Sequence, residues 1–209
     1  GSYFFPLYIY NHSGQQELLA ESGKSTNLLW NNLPYSQRKV SSEQILYYIY
    51  TILYSNIYRR KYQEFLKIDF PRIPFTKDYE LFGKLSELGE RLVQLHLLKS
   101  PELPNPIVKY KGSGGNNVEK RGYKEPTGRA YINDSQYFEG ITPAVWNYYI
   151  GGYQVLDKWL KDRKDKTLSA EDIRHYCKVI TAISMTIEIQ KEIDRLYPKV
   201  EESLLTVKK

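Results

Sequence analysis

Residues 109 to 133 carry the densest set of side chains able to engage a ligand. Lys109, Lys111, Lys120, Arg121, Lys124 and Arg129 stand against only two carboxylates, Glu119 and Glu125. Gly112, Gly114, Gly115, Asn116, Asn117, Tyr123 and Asn133 are interleaved with them. Lysine and arginine neutralise phosphates and release counterions. Arginine and asparagine can pair bidentately with guanine and adenine edges, and glycine lets a backbone come close to phosphate. The set fits a β-hairpin that enters the groove of a double helix. In that reading Lys109, Lys111, Lys120, Lys124 and Arg129 meet phosphates. Asn116, Asn117 and Arg121 read bases, with Tyr123 and Asn133 in support. On composition alone it fits a solvated, mobile hairpin with ordinary surface charge equally well.

A second cluster, Lys158, Lys161, Arg163, Lys164 and Lys166, has the same two readings, and cations at a helix C-terminus suit the helix dipole anyway. Arg59-Arg60-Lys61 is read in that bland way.

Catalytic and metal motifs fail on inspection. ESGKST (residues 21 to 26) has the Gly-Lys-Ser tail of a phosphate loop, but the glycine required five positions before Gly23 is replaced by Leu18. NLPY (residues 32 to 35) is near the Asn-Pro-Pro-Tyr of amino-methyltransferases, which hold a flipped base. Its second residue is Leu33, and no glycine-rich cofactor strand lies upstream. His12, His96 and His175 are isolated from one another and from carboxylates at ligand spacing. Cys177 is expected to be a buried, inert thiol. No catalytic residue, metal ligand or cofactor contact is assigned.

The elements that position these residues follow from periodicity. Ser41 and Gln44 have capping-box spacing, with Val40 and Ile45 as the hydrophobic staple. They open a helix that runs to about Phe65, with Tyr47, Tyr50, Tyr54 and Tyr58 in one stripe and Leu46, Ile49, Leu53 and Ile57 in the next. DFPRIPF (residues 69 to 75) is extended because of Pro71 and Pro74. Leu81, Leu85, Leu88, Leu92 and Leu95 set a helix over about 78 to 98. Residues 107 to 141 read as an antiparallel meander. Thr142-Pro143 caps a helical turn, WNYYIGGY suits a strand or tight turn, and a helix covers about 153 to 164. Ser169 and Asp172 open a last helix along Ile173, Tyr176, Ile180, Ile183 and Ile187, which Pro198 is expected to end. Residues 3 to 9 read as a short strand or extended lead-in, and 11 to 39 as a long loop with a helical turn around Glu17 to Glu21. The expected class is α+β, a small antiparallel sheet flanked by several long helices.

The chain has 209 residues, 41% hydrophobic and 26% charged, which suits a folded soluble protein. One cysteine excludes an intrachain disulfide and any zinc site needing two thiolates from this chain. No apolar run reaches the roughly 18 residues of a membrane span. The net charge of +6 is mild support for a polyanionic partner, though many proteins this basic bind none. Twenty tyrosines suit interfaces, or equally a tyrosine-biased core. Gly1-Ser2 is read as a cloning scar, residues 3 to 198 as one domain and 199 to 209 as a frayed tail.

Several stretches together carry a resemblance. FFPLY (4 to 8), LKIDFPRIPF (66 to 75), ELFGKLSELGERLVQLHLL (80 to 98), YINDSQYFEGI (131 to 141) and WNYYIGGYQVLDKWLKDRK (146 to 164) resemble the C-terminal specificity region of type ISP and type IIG-like single-chain restriction–modification enzymes. The likeness runs from about Tyr3 to Tyr197. It implies a target-recognition domain that reads double-stranded DNA, largely through the major groove, without catalysis of its own. It also implies an upstream module in the same polypeptide that methylates adenine at N6 with S-adenosylmethionine, and a cytoplasmic location. The motifs are expected to build scaffold: Phe70, Pro71, Ile73 and Pro74 as a rigid crossover, and Gly151-Gly152 as the approach to the Trp159 helix. Arg72 is read as a phosphate contact or a buried salt-bridge partner, with the salt bridge preferred. Two other readings stand beside this one. The tyrosine-rich first helix and WNYY could instead dock on the methyltransferase module, with little DNA contact, or NLPY could be a degenerate catalytic loop.

Overall fold

The computed structural model describes residues 40–205, together with the backbone of two short strands, β1 (Tyr8–Tyr10) and β2 (Lys24–Thr26), which pair antiparallel. Lys24 and Ser25 of the Gly-Lys-Ser tripeptide are therefore extended. The cloning-scar reading, His12, the remainder of the 11–39 loop and NLPY lie outside the described residues.

The chain divides into two compact units, residues 1–93 with 190–209, and residues 94–189. In the first, α1 (Ser42–Tyr54) opens with the expected capping box: Gln44 N–H donates to Ser41 Oγ at 3.2 Å, and Ser41 N–H to Gln44 Oε1 at 2.9 Å. The helix does not run on to Phe65. It breaks at Ser55, which adopts an extended ψ of 125°, and resumes as α2 (Asn56–Lys61) and α3 (Gln63–Leu66). The break is satisfied from both sides. Ser55 Oγ accepts from Tyr58 N–H, and the Asp194 carboxylate accepts from Ser55 Oγ and the N–H groups of Asn56 and Ile57. The buried face is accordingly Ile45, Tyr48, Thr51, Ile52 and Tyr58. The two expected stripes are shifted, and Leu46 is exposed.

α4 (Tyr79–His96) buries all five predicted leucines. Gly89 lets it touch α1: a Cβ there would stand 2.0 Å from the Tyr47 carbonyl oxygen. The proline segment before α4 is the expected crossover, held through its backbone. Tyr48 Oη donates to the Pro74 carbonyl at 2.8 Å and Tyr58 Oη to the Arg72 carbonyl at 3.0 Å. Arg72 itself is not buried. Its side chain is 83% exposed, 3.9 Å from Asp69 and over the Phe65 ring. The backbone carries the anchoring, so the guanidinium is left outside.

α7 (Ala170–Glu202) opens with the Ser169/Asp172 capping box and runs through Pro198. A proline inside a helix costs about 3 kcal/mol, because it has no N–H for the carbonyl four residues back. Tyr197 and Val200 flank it and are fully buried in the first unit's core. Burial of an apolar side chain the size of Val200 stabilises by about 1.5–3 kcal/mol, and the Tyr197 ring adds apolar contact beside it, which offsets much of that cost. Of the expected frayed tail, residues 199–205 are described, and they are held. Ser203 O accepts from Lys77 N–H, and Leu205 N–H donates to Phe75 O.

The second unit holds a four-stranded antiparallel sheet: β3 (Lys109–Lys111), β4 (Gly122–Lys124), β5 (Arg129–Tyr131) and β6 (Tyr137–Glu139), in the order β3-β6-β5-β4. The expected meander holds for β4 to β6, but β3 returns to the far side of β6. Around it lie α5 (Pro143–Trp146), capped by Thr142 as expected, and the hairpin β7 (Tyr149–Ile150) and β8 (Tyr153–Gln154). α6 (Val155–Lys161) and the start of α7 follow. Gly151 and Gly152 both take positive φ, +56° and +84°, in the hairpin turn. Phe138, Ala130, Ile132, Leu156, Leu160 and Tyr176 form the core. The class is α+β. Among the described residues no helix is long and apolar enough to cross a membrane, and no His, Cys, Asp or Glu cluster is placed to hold a metal ion.

Candidate nucleic-acid interface

Strand alternation sorts the sheet into two faces. Tyr110, Tyr123, Ala130 and Phe138 turn inward. Tyr110 packs on Phe138 at 4.8 Å, and Tyr123 stacks on Trp146 at 4.8 Å while its hydroxyl donates to Ile141 O. Their neighbours turn outward in two cross-strand rows. One reads Lys109, Glu139, Arg129, Lys124, and the other Lys111, Tyr137, Tyr131, Gly122. The outer face thus carries four cations, two tyrosines and one carboxylate.

Glu139 organises this face. Its Oε1 is 2.6 Å from Arg129 Nη2 and its Oε2 is 2.5 Å from Lys111 Nζ. The Lys111 hydrogen bond, then that of Arg129, holds the Glu139 carboxyl below its usual range, and the same contact raises the Lys111 ammonium. Arg129 lies over the Tyr137 ring at 4.4 Å and Lys124 over Tyr131 at 4.7 Å, with the two tyrosine rings 5.1 Å apart. Lys109 and Lys124 have no carboxylate partner among the described residues. Such a surface attracts phosphates through its cations and offers ring faces to sugars or bases.

The glycine-rich stretch is not a hairpin tip. β3 and β4 are the two edges of the sheet and do not pair with each other. Residues 112 to 121 cross between them and are strapped down on the way. Val118 N–H donates to Lys166 O, Leu168 N–H to Asn116 O, and Lys120 N–H to Ile132 O. Gly112 serves this packing: its φ is +99°, and a Cβ would meet the Ser135 carbonyl oxygen at 2.1 Å.

The ten predicted residues therefore separate. Lys109, Lys111, Lys124 and Arg129 come together on the outer face, and Lys120, 81% exposed, stands apart on the crossing loop, 3.7 Å from Asp134. Asn133 is buried and saturated. Its Nδ2 donates to Asn117 O and Gln136 Oε1, and its Oδ1 accepts from the N–H groups of Ser135 and Gln136. Asn116, at φ +58°, accepts on Oδ1 from Tyr110 Oη and Gln136 Nε2. Arg121 Nε donates to Asp157 Oδ1 at 2.9 Å. In this arrangement Asn116, Arg121, Tyr123 and Asn133 each hold partners within the domain. Asn117 is exposed, with its Oδ1 accepting from Thr167 Oγ1.

Tyr131, Tyr137 and Glu139 were not among the predicted residues. Their signal was the strict alternation in Arg129-Ala130-Tyr131 and Tyr137-Phe138-Glu139. In the second cluster Lys158 pairs with Asp162, and Arg163 lies 3.5 Å from Asp172 and over the Trp159 ring. Cys177 is buried, and that burial pushes its thiol up to about 11. Tyr48, Tyr58, Tyr176 and Tyr197 are among the largest fully buried side chains, so part of the tyrosine excess is core.

A family model described as the type ISP C-terminal specificity domain matches residues 1–192. The chain belongs to that family. The fold of this specificity domain is similar to parts of three solved structures. One is a nuclease-deletion mutant of the type ISP restriction–modification enzyme LlaGI in complex with a DNA substrate mimic. It is 24% identical, with a TM-score of 0.58, over 81% of this chain and 14% of that one. The second is the ATP-dependent type ISP enzyme LlaBIII bound to DNA, 22% identical, TM-score 0.62, over 89% and 13%. The third is a DrdV–DNA complex, 21% identical, TM-score 0.63, over 90% and 21%. At these identities the likeness is one of fold, and the specificity domain spans only 13–21% of the two latter chains. No curated protein matches the sequence.

Proposed function

We propose that this specificity domain recognises a sequence in double-stranded DNA on behalf of a restriction–modification enzyme and performs no chemistry itself. The observation that carries the reading is the outward face of the sheet, cationic and tyrosine-lined, in a member of this family. The DNA complexes of LlaGI, LlaBIII and DrdV support it by fold. Lys109, Lys111, Lys120, Lys124 and Arg129 neutralise phosphates, Tyr131 and Tyr137 support the backbone, and Asn117 is the predicted base reader still exposed. Methylation of adenine, with S-adenosylmethionine, belongs to a module of the same polypeptide beyond these residues. The domain itself holds no cofactor and works in the cytoplasm.

Fluorescence anisotropy of the chain on duplex DNA across a salt series tests this. Lys109→Ala or Lys124→Ala should each weaken binding to all sequences alike and lower the salt slope by about one. A salt response that is flat for the parent chain refutes the reading. It would favour the docking alternative, for which the exposed Tyr149, Ile150 and Tyr153 of the β7–β8 hairpin are the specific support.

A further inference from the structure

Beside β3, within the unit of residues 94–189, opens a cavity of about 510 Å³. That size lies in the range of small-ligand and side-chain pockets. Leu103, Val108 and Cys177 are buried in its wall, and Lys109, Arg174 and Lys178 stand round its mouth. No lining residue is acidic, and these three cations have no carboxylate partner among the described residues. β3 is also an edge strand, paired with β6 alone. An unpaired strand edge is a template for a further extended chain. Side chains of such a chain would alternate between the two faces of the sheet, so that one set enters the cavity and the other lies beside its charged rim.

We propose that this slot receives an extended segment of alternating acidic and apolar residues, added as a strand on β3 and supplied by a neighbouring module of the same enzyme. The apolar side chains fill the cavity, and the carboxylates meet Arg174 and Lys178. The source of the segment rests on the reading above, in which this domain is one part of a longer polypeptide. The charge and the edge strand are independent of it.

Cys177, the chain's one cysteine, reports on the cavity wall. The 209-residue chain is alkylated with N-ethylmaleimide and followed by intact mass, with and without a terminally blocked Glu-Leu-Glu-Leu-Glu peptide. At a concentration filling about nine sites in ten, the peptide should slow alkylation roughly tenfold. Amide exchange at Lys109 to Lys111 should slow with it, while the Gln-Leu-Gln-Leu-Gln peptide does neither. Reversing the rim charges with Arg174→Glu and Lys178→Glu should weaken the acidic peptide roughly tenfold. Should that variant fail to fold, the two peptides on the unaltered chain decide. No protection by the acidic peptide, or equal protection by both, overturns the proposal, as does protection by duplex DNA in place of the peptide. Because the anisotropy measurement uses no peptide, the DNA reading and this one can fail separately.

Discussion

Glu139 stands directly opposite Arg129 across the β5–β6 ladder, and its second oxygen holds Lys111 from the other side. A single carboxylate therefore restrains two of the four cations on the outer face. It fixes where their charges sit, and it subtracts from the field that phosphates would meet.

Removing that charge should release both cations. Glu139→Gln is expected to raise affinity for non-cognate duplex and to steepen the salt dependence by about one to two phosphate contacts. Anisotropy in a salt series checks it, and an unchanged slope would mean that Lys111 and Arg129 do not reach phosphate. The pH dependence follows from the depressed carboxyl. Its contribution to stability is complete above the unfolded value of about 4.3 and fades as pH falls through the lower folded value. The stability gap between parent and Glu139→Gln, measured by denaturant melts, should close in acid.

Gly112→Ala should destabilise the domain by about 1–3 kcal/mol, since it combines a positive φ with a clash against the Ser135 carbonyl. Urea unfolding measures it. A neutral result would mean that the crossing loop is not held against the β5–β6 turn.

Tyr48 Oη donates to Pro74 O and accepts from the buried Thr76 N–H. Tyr48→Phe leaves that N–H without its partner, at a cost of about 1–3 kcal/mol. The loss should appear as a lower unfolding midpoint with an unchanged far-ultraviolet spectrum.

His96 is half-buried beside Thr186 Oγ1, and burial lowers its pKa. The unfolded chain then takes up the proton first, at about pH 6.5. Stability should fall as pH drops from there through the folded value. His96→Gln should flatten that slope, read as melting temperature against pH.

Local rules made much of the fold legible. The Ser41 and Ser169 caps, the leucine spacing of α4 and the Gly151-Gly152 turn each depend on residues a few positions apart. What escaped depends on partners far along the chain. The break at Ser55 is held by Asp194, some 140 positions on. Pro198 stays helical because Tyr197 and Val200 enter a core built from α1 and α4. At the candidate site the cations were legible, since charge is a property of composition. Which strand lies beside which was not. That pairing brought Glu139, Tyr131 and Tyr137 between the lysines and gave Asn116 and Asn133 partners within the domain.

The sheet-bearing unit is an insertion in the sequence of the helical one, entered within α4 and left within α7. Its two joints, after Val93 and after Ile189, both lie inside unbroken helices. A chimaera that exchanged residues 94–189 with a relative would have to preserve helical phase at both seams. A deletion from Gln190 onward would strip Tyr197 and Val200 from a core whose other members lie more than a hundred positions earlier.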